Sequence, residues 1–322
     1  MISVYMKNLS VALFLFAVVA GLYLNMTNNY FYRQKLRGID NSAEGTSSVL
    51  FVGDIMFDRA IRGIADDKGY LYLFSCVKDV LLAQGTVVGN LEGPITKNKS
   101  VSKGTKPGNT DNFQFTFDPQ VTDALLLSNI GYLNIGNNHI FNFGREGLAD
   151  TKKYLTKAGI KYFGDPLGVT TSVAHISLPG REIALINYNQ FCCDTPELMV
   201  GAVGKLVETE KNEGRFVVVY AHWGEEYATS SNSVQQKLAH TFIEFGADAV
   251  IGSHPHVVQE VEEYLGRLIF YSLGNFIFDQ WFSDDTMLGM GVRLSFSPNS
   301  KSPHFETIMF TLNKDGTTCS VI

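Results

Sequence analysis

Short, continuous runs of apolar and β-branched residues punctuate this chain, and several of them stop at a small cluster of polar residues. Residues 49–52 (Val-Leu-Phe-Val) end in Gly53-Asp54-Ile55-Met56, and Thr86-Val87-Val88 ends in Gly89-Asn90-Leu91-Glu92-Gly93-Pro94. Residues 132–135 end in Gly136-Asn137-Asn138-His139. Residues 216–220 lead into Ala221-His222-Trp223-Gly224, and residues 247–251 into Gly252-Ser253-His254-Pro255-His256. Apolar runs that are continuous rather than alternating predict strands covered on both faces. Helical spacing predicts helices over residues 70–84, 119–129 and 145–158, the last with Leu148, Tyr154, Leu155 and Ala158 as its apolar positions. Residues 172–178 and 182–188 read as a hairpin around Pro179-Gly180. Beyond residue 256 the pattern changes, with strand-like stretches at 257–264, 268–278, 291–297 and 305–312 and no helix of any length between them. Strand–helix alternation followed by a run of hairpins predicts an α/β protein of two packed sheets with helices outside.

Other segments fill in the frame. Residues 97–112 are rich in Lys, Ser, Asn and Gly and predict an exposed loop near the polar strand ends. Phe113, Phe115 and Phe117 alternate as one strand face does, which predicts core positions. Residues 9–24 are apolar or aromatic except for Ser10 and Gly21, follow Lys7, and are closed by a polar stretch. That length is at the short end of the roughly 17–25 residues a spanning helix needs and exceeds the roughly 7–15 of a signal-peptide core. The segment therefore favours an uncleaved signal-anchor at 1–30, a linker at 31–47 and one folded domain at 48–322. Arg33, Lys35 and Arg37 after the segment, against Lys7 before it, would by the positive-inside rule keep the domain cytoplasmic. The signal-like position of the segment argues instead for a single-pass membrane protein with its domain outside.

Composition narrows the function classes. The chain of 322 residues is 45% hydrophobic and 18% charged, with net charge −6 and no Lys/Arg stripe, which excludes a nucleic-acid backbone as partner. An acidic protein that handles an anionic substrate needs a bound cation to offset the repulsion. The four cysteines, Cys76, Cys192, Cys193 and Cys319, have no CxxC spacing; they predict free or partly buried thiols, with only a pairing of Cys192 or Cys193 to a distant cysteine left open.

The polar clusters supply the candidate chemistry. Asp54, Asn90 or Glu92, Asn138 with His139, His222, and His254 with His256 all fall just past strand ends, where open α/β sheets place their ligands. A mixed carboxylate, amide and imidazole set suits Mn, Fe or Zn without choosing among them. Six or seven such ligands are too many for one four-coordinate zinc and fit two divalent metals sharing a carboxylate. Such a pair activates a water and holds both oxygens of a phosphoryl transfer, with His139 placed to contact the phosphate or protonate the leaving group. Ser272-Leu273-Gly274-Asn275-Phe276 reads as a turn, with the Asn275 amide as outer support. Glu225 and Glu226 read as solvated, and His175, His240 and His304 as structural.

Six motifs follow one another from Gly53 to Phe276: Gly-Asp-x-Met, Asn-Leu-Glu, Asn-Asn-His, His-Trp-Gly-x-Glu-Tyr, Gly-Ser-His-Pro-His and Ser-Leu-Gly-Asn-Phe. In this order they resemble the CapA (poly-γ-glutamate capsule synthesis) family, a branch of the calcineurin-like metallophosphoesterase superfamily, over residues 48–280. The resemblance implies a four-layer αββα sandwich with a dinuclear site at the sheet ends. It implies Asp54 on one metal and a residue of Asn90-Leu91-Glu92 as the bridge. Asn138, His222 and His254 would hold the second metal, His256 would return to the first, and His139 would be catalytic. It also implies synthesis or export of an anionic polymer, with membrane subunits of a capsule synthase as partners. Three positions depart from the patterns: Met56 stands where the superfamily has a metal-binding His, Asn90 where it has a bridging Asp, and Asn142 where an Asp is usual. The first two leave metal occupancy and hydrolytic activity open, and a non-enzymatic polymer-binding subunit or a general secreted phosphatase are the alternatives.

Overall fold

The structure, a computed structural model, describes residues 47–106, 109–168, 173–191, 196–297 and 303–321. The apolar segment 9–24, the linker and the pair Cys192-Cys193 lie outside the described residues. Among the described residues no helix is long and apolar enough to cross a membrane.

The chain opens with β1 (Ser47–Ile55), followed by helices α1 (Arg59–Lys68) and α2 (Lys78–Leu82) and strand β2 (Thr86–Leu91). Helix α3 (Val121–Leu127), β3 (Ile130–Asn134), α4 (Gly144–Ala158) and β4 (Lys161–Phe163) continue the alternation. A hairpin, β5 (Val173–Leu178) and β6 (Arg181–Asn189), precedes α5 (Pro196–Asn212), β7 (Phe216–His222), α6 (Ser233–Glu244) and β8 (Ala249–Ser253). The remainder is β9 (Val261–Tyr264), β10 (Arg267–Phe270), β11 (Asn275–Ile277), β12 (Leu288–Phe296), β13 (His304–Leu312) and β14 (Thr318–Ser320). One sheet has the order β14-β13-β12-β1-β2-β3-β4, with β11 also pairing β1, and the other runs β5-β6-β7-β8-β10-β9.

The continuous apolar runs follow from burial on both sides. In β1, Val49 and Phe51 face the apolar layer between the sheets, while Leu50 and Val52 face the layer under α1–α4. In β7, Val218 and Tyr220 enter the layer between the sheets, and Val217, Val219 and Ala221 meet α5 and α6. Three apolar layers thus separate helices, sheet, sheet and helices. β1, β2, β3 and β4 are mutually parallel, as are β6, β7, β8 and β10. Their C-terminal ends therefore gather at one rim of each sheet. Gly53 is required there, because a Cβ would collide with the carbonyl oxygen of Gly274 as β11 comes in beside β1.

Three expectations need correction. The helix predicted over 70–84 is a 3₁₀ turn (Tyr70–Phe74) and then α2, preceded by the unpredicted α1. The spacing of Leu73, Val77 and Leu81 is that of one buried face, and all three are buried, but the chain breaks at residues 75–77. Phe115 and Phe117 are core, whereas Phe113 sits on a separate 3₁₀ turn (Thr110–Phe113) and is 47% exposed. Cys76 and Cys319 are not thiols: they form a disulfide, 243 residues apart in sequence, that ties β14 to the segment before α2. His175 and His240 are engaged by Glu210 and Glu262 respectively, and Glu225 and Glu226 are exposed.

Candidate metal centre

Asp54, Asn90, Glu92, His222 and Ser253 lie at or just past the ends of β1, β2, β7 and β8, and all are fully buried. Asn90 organises the acidic side. Its amide nitrogen donates to Asp54 Oδ1 at 2.8 Å and to Glu92 Oε2. Its Oδ1 accepts from Asn134 Nδ2 at 3.0 Å and Asn137 Nδ2 at 3.1 Å. Asn187 Nδ2, from the other sheet, donates to Asn134 Oδ1 at 2.9 Å, so a row of amides crosses between the sheets behind the site. Asn90 is thereby satisfied by protein groups and holds the two carboxylates apart.

The imidazoles face these carboxylates. His222 Nδ1 lies 3.0 Å from Ser253 Oγ, and the hydroxyl of Ser253 donates to Ala221 O. His222 Nδ1 is therefore the donor, and its Nε2 presents a lone pair to Asn138 Oδ1 at 2.9 Å and Glu92 Oε1 at 3.5 Å. Three lone pairs aimed at one another, two of them on the fully buried Glu92 and His222, suit a cation. Glu92 Oε1 and His254 Nδ1 are both buried without a hydrogen-bond partner. Ligand atoms of Glu92, His222 and His254 lie within 4.8 Å of one another. A buried carboxylate oxygen and imidazole nitrogen left unpaired are costly, and a divalent ion satisfies both. The residues present fit a metal.

Asp54 and His256 form a neighbouring group. Asp54 Oδ2 is 3.1 Å from His256 Nδ1 and accepts from the His254 backbone at 3.2 Å. His256 Nδ1 also meets Asn275 Oδ1 at 3.0 Å, which leaves only its Nε2 free for a metal. His139 stands at the margin, its Nε2 3.9 Å from Glu92 Oε1 and its Nδ1 3.1 Å from Asn142 Oδ1. Asn142 also accepts from Phe115 N, so it orients the imidazole even without a charge.

Burial sets the protonation states. It pushes Glu92 well above the usual carboxylate range, with Asp54 adding to the effect. It pushes His222 well down, helped by His254 and His256. His254 is lowered to about 3 and His139 to about 4, in each case mainly by desolvation. Burial thus favours the neutral form of His139, His222 and His254, which is the form of an imidazole that binds metals.

The structure brings Glu92, His222 and His254 together, with Asn138 on His222 and with Asp54, His256 and Asn275 alongside. Sequence reasoning missed Asn134, Asn137, Asn187, Ser253 and Phe191, whose ring lies 4.3 Å from that of His254. Asn187 and Asn189 close β6, so attention to polar residues at strand ends would have found Asn187. Phe191 carries no such signal.

A model of the family described as bacterial capsule synthesis protein PGA_cap matches residues 48–280. The chain belongs to that family. The chain is similar to the PGA biosynthesis protein CapA of Bacillus subtilis, 31% identical over 72% of this chain and 63% of that protein's length. The capsule biosynthesis protein CapA of Bacillus anthracis is 30% identical over 72% of this chain and 60% of its own. A probable polyglutamine synthesis accessory protein of Mycobacterium tuberculosis is 28% identical over 45% of this chain and 44% of its own. The chain thus spans less than two thirds of the length of these relatives. The PGA_cap match covers every residue of the candidate centre.

Proposed function

We propose that this PGA_cap-family chain serves capsule-polymer synthesis or export with a metal-dependent phosphoesterase-like site, on a domain held outside the cytoplasmic membrane by an anchor at residues 9–24. The observation that carries the reading is the convergence of ligand atoms of Glu92, His222 and His254 within 4.8 Å of one another, with Glu92 Oε1 and His254 Nδ1 buried and unpartnered. Glu92, His222 and His254, with Asn138, would hold one divalent ion. Asp54 and His256 are the candidates for a second, since Asp54 Oδ2 lies 3.1 Å from the His256 ring, whose Nε2 makes no hydrogen bond among the described residues. The αββα metallophosphoesterase sandwich is the fold reading that goes with this site.

A bound divalent ion would supply Lewis-acid polarisation and an activated water. The chain's own residues supply the rest. Asn142 accepts from His139 Nδ1, so His139 Nε2 faces the site ready to take or return a proton at the leaving oxygen. Asn138 positions an amide beside His222, and Asn90 keeps Asp54 and Glu92 fixed. The Cys76–Cys319 disulfide supports a location in an oxidising compartment. Membrane subunits of a polymer synthase are the proposed partners.

One observation favours a second reading, a non-enzymatic polymer-binding subunit. Asn90 is a neutral amide whose oxygen already accepts two hydrogen bonds, so it does not bridge two metals. Metal content and phosphoester turnover of the full chain, beside Asn138→Ala and His254→Ala, separate the two. Bound divalent metal and turnover that both fall in the variants support the enzyme. Metal-free, inactive wild-type protein refutes it and leaves the binding subunit.

A further inference from the structure

A cavity of about 350 Å³ opens beside the candidate centre, lined by Arg59, Phe113, Tyr227, Asp279, Gln280 and Phe282 among others. Physical contacts join it to the imidazoles. The Tyr227 ring lies 6.3 Å from that of His256. Tyr227 Oη accepts from Gln280 Nε2 at 3.1 Å, Gln280 Oε1 accepts from Asn275 Nδ2 at 3.0 Å, and Asn275 Oδ1 meets His256 Nδ1. The Arg59 guanidinium lies 5.2 Å from the rings of both Phe115 and Phe278. Those rings in turn contact His139 at 4.4 Å and His256 at 4.7 Å.

Strain marks the cavity as it marks the centre. Arg59, Tyr227, His254 and His256 all have positive φ, and with Asn129 and Leu265 they complete the non-glycine residues of this kind among those described. Left-handed conformations in such residues cost free energy and gather at functional sites. Two of the four are candidate ligands and two line the cavity.

The lining selects a chemistry. Arg59 pairs with Asp279, so the walls offer guanidinium donors and carboxylate acceptors at no net charge, and an ionic ligand gains nothing from them. Phe113, Tyr227 and Phe282 are 47, 41 and 66% exposed, unusual for rings of that size. Tyr227 and Phe282 stand edge to face, 82° apart. A flat base takes parallel rings; two rings at a right angle with amide, carboxylate and guanidinium groups beside them suit a puckered ring with one apolar face and several hydroxyls. The geometry points to this cavity as a subsite for a neutral sugar ring, seated next to whatever anionic group the centre holds. It rests on the metal-centre reading only for that neighbouring group.

Saturation-transfer NMR on the full chain tests it, with methyl glucopyranoside and phenol as probes, neither of which needs a metal or a phosphate. The expected result is saturation of the glucoside ring protons that falls at least fivefold in Phe282→Ala and Gln280→Ala and persists in His222→Ala. Phe282 is exposed, so its replacement should leave the fold intact. Absence of transfer to the glucoside, stronger transfer to phenol, or unchanged transfer in both cavity variants overturns the subsite. A glucoside that binds while the chain proves metal-free and inactive keeps the subsite and removes the phosphoesterase.

Discussion

Replacing Asn90 with Asp tests whether this amide is the organiser of the acidic cluster. In the wild type its nitrogen donates to Asp54 and Glu92, both fully buried. Asn90→Asp converts two donated bonds into two contacts between acceptors and adds a carboxyl that touches both neighbours. A hydrogen bond to a charged group contributes about 1.5–3 kcal/mol and one to a neutral group about 0.5–1.5 kcal/mol; burial pushes Glu92 towards its neutral form, so the two bonds together set the loss at about 2–4.5 kcal/mol in metal-free protein. A domain of this size has a total of about 5–15 kcal/mol, so the variant should be marginally stable when stripped of metal. A divalent ion would meet three carboxylates in place of two, and it should restore most of the loss. Urea denaturation of both proteins, in chelator and in excess Mn²⁺, reads the two effects separately. The reasoning is refuted if Asn90→Asp in chelator lies within about 1 kcal/mol of the wild type. A loss that added metal does not recover would refute the cluster as a cation site while leaving the structural role of Asn90.

Further outcomes follow from other parts of the molecule. The wild type should gain about 2.7 kcal/mol of stability at a metal concentration one hundred times the dissociation constant, and Glu92→Gln should abolish that gain in a thermal-shift titration. Reducing the Cys76–Cys319 bond, or Cys76→Ser, should cost about 2–5 kcal/mol, because a cross-link over so long a loop restricts the unfolded chain; an unchanged denaturation midpoint would sink this. Gly53→Ala should cost upwards of about 3 kcal/mol, since its Cβ meets the backbone of Gly274 and nothing there can yield. Phe113→Ser, at an exposed ring, should change stability by less than about 0.5 kcal/mol, measured in the same denaturation assay.

Much of this molecule could be read from its sequence because its strands are buried on both faces. Residues 49–52 and 216–220 can be nothing but interior strands, and the polar clusters at their ends are where the site lies. The hairpin around Pro179-Gly180 and the helix over 145–158 were equally plain, each having a turn signal or a clear apolar stripe. What escaped depended on partners distant in sequence. Helix α1 opens at Asp58, whose carboxylate accepts from Ser100 and Thr116, 42 and 58 residues on, and no local pattern shows those two bonds. Asn90 reads in sequence as a defective bridging ligand, yet its role is set by Asn134 and Asn137, more than forty residues on. The disulfide joins two cysteines whose spacing carries no motif.

The amide row behind the site has a sense of direction. Carboxylates only accept, so the nitrogen of Asn90 must point at Asp54 and Glu92 and its oxygen away from them. That oxygen demands the nitrogen of Asn134, whose own oxygen demands the nitrogen of Asn187. Two acidic side chains on one sheet thus dictate how an amide on the other sheet is turned, and none of the three can flip alone. An acceptor-only residue at position 187 would send the conflict back along the whole row, making the residue farthest from the carboxylates as intolerant of Asp as the nearest.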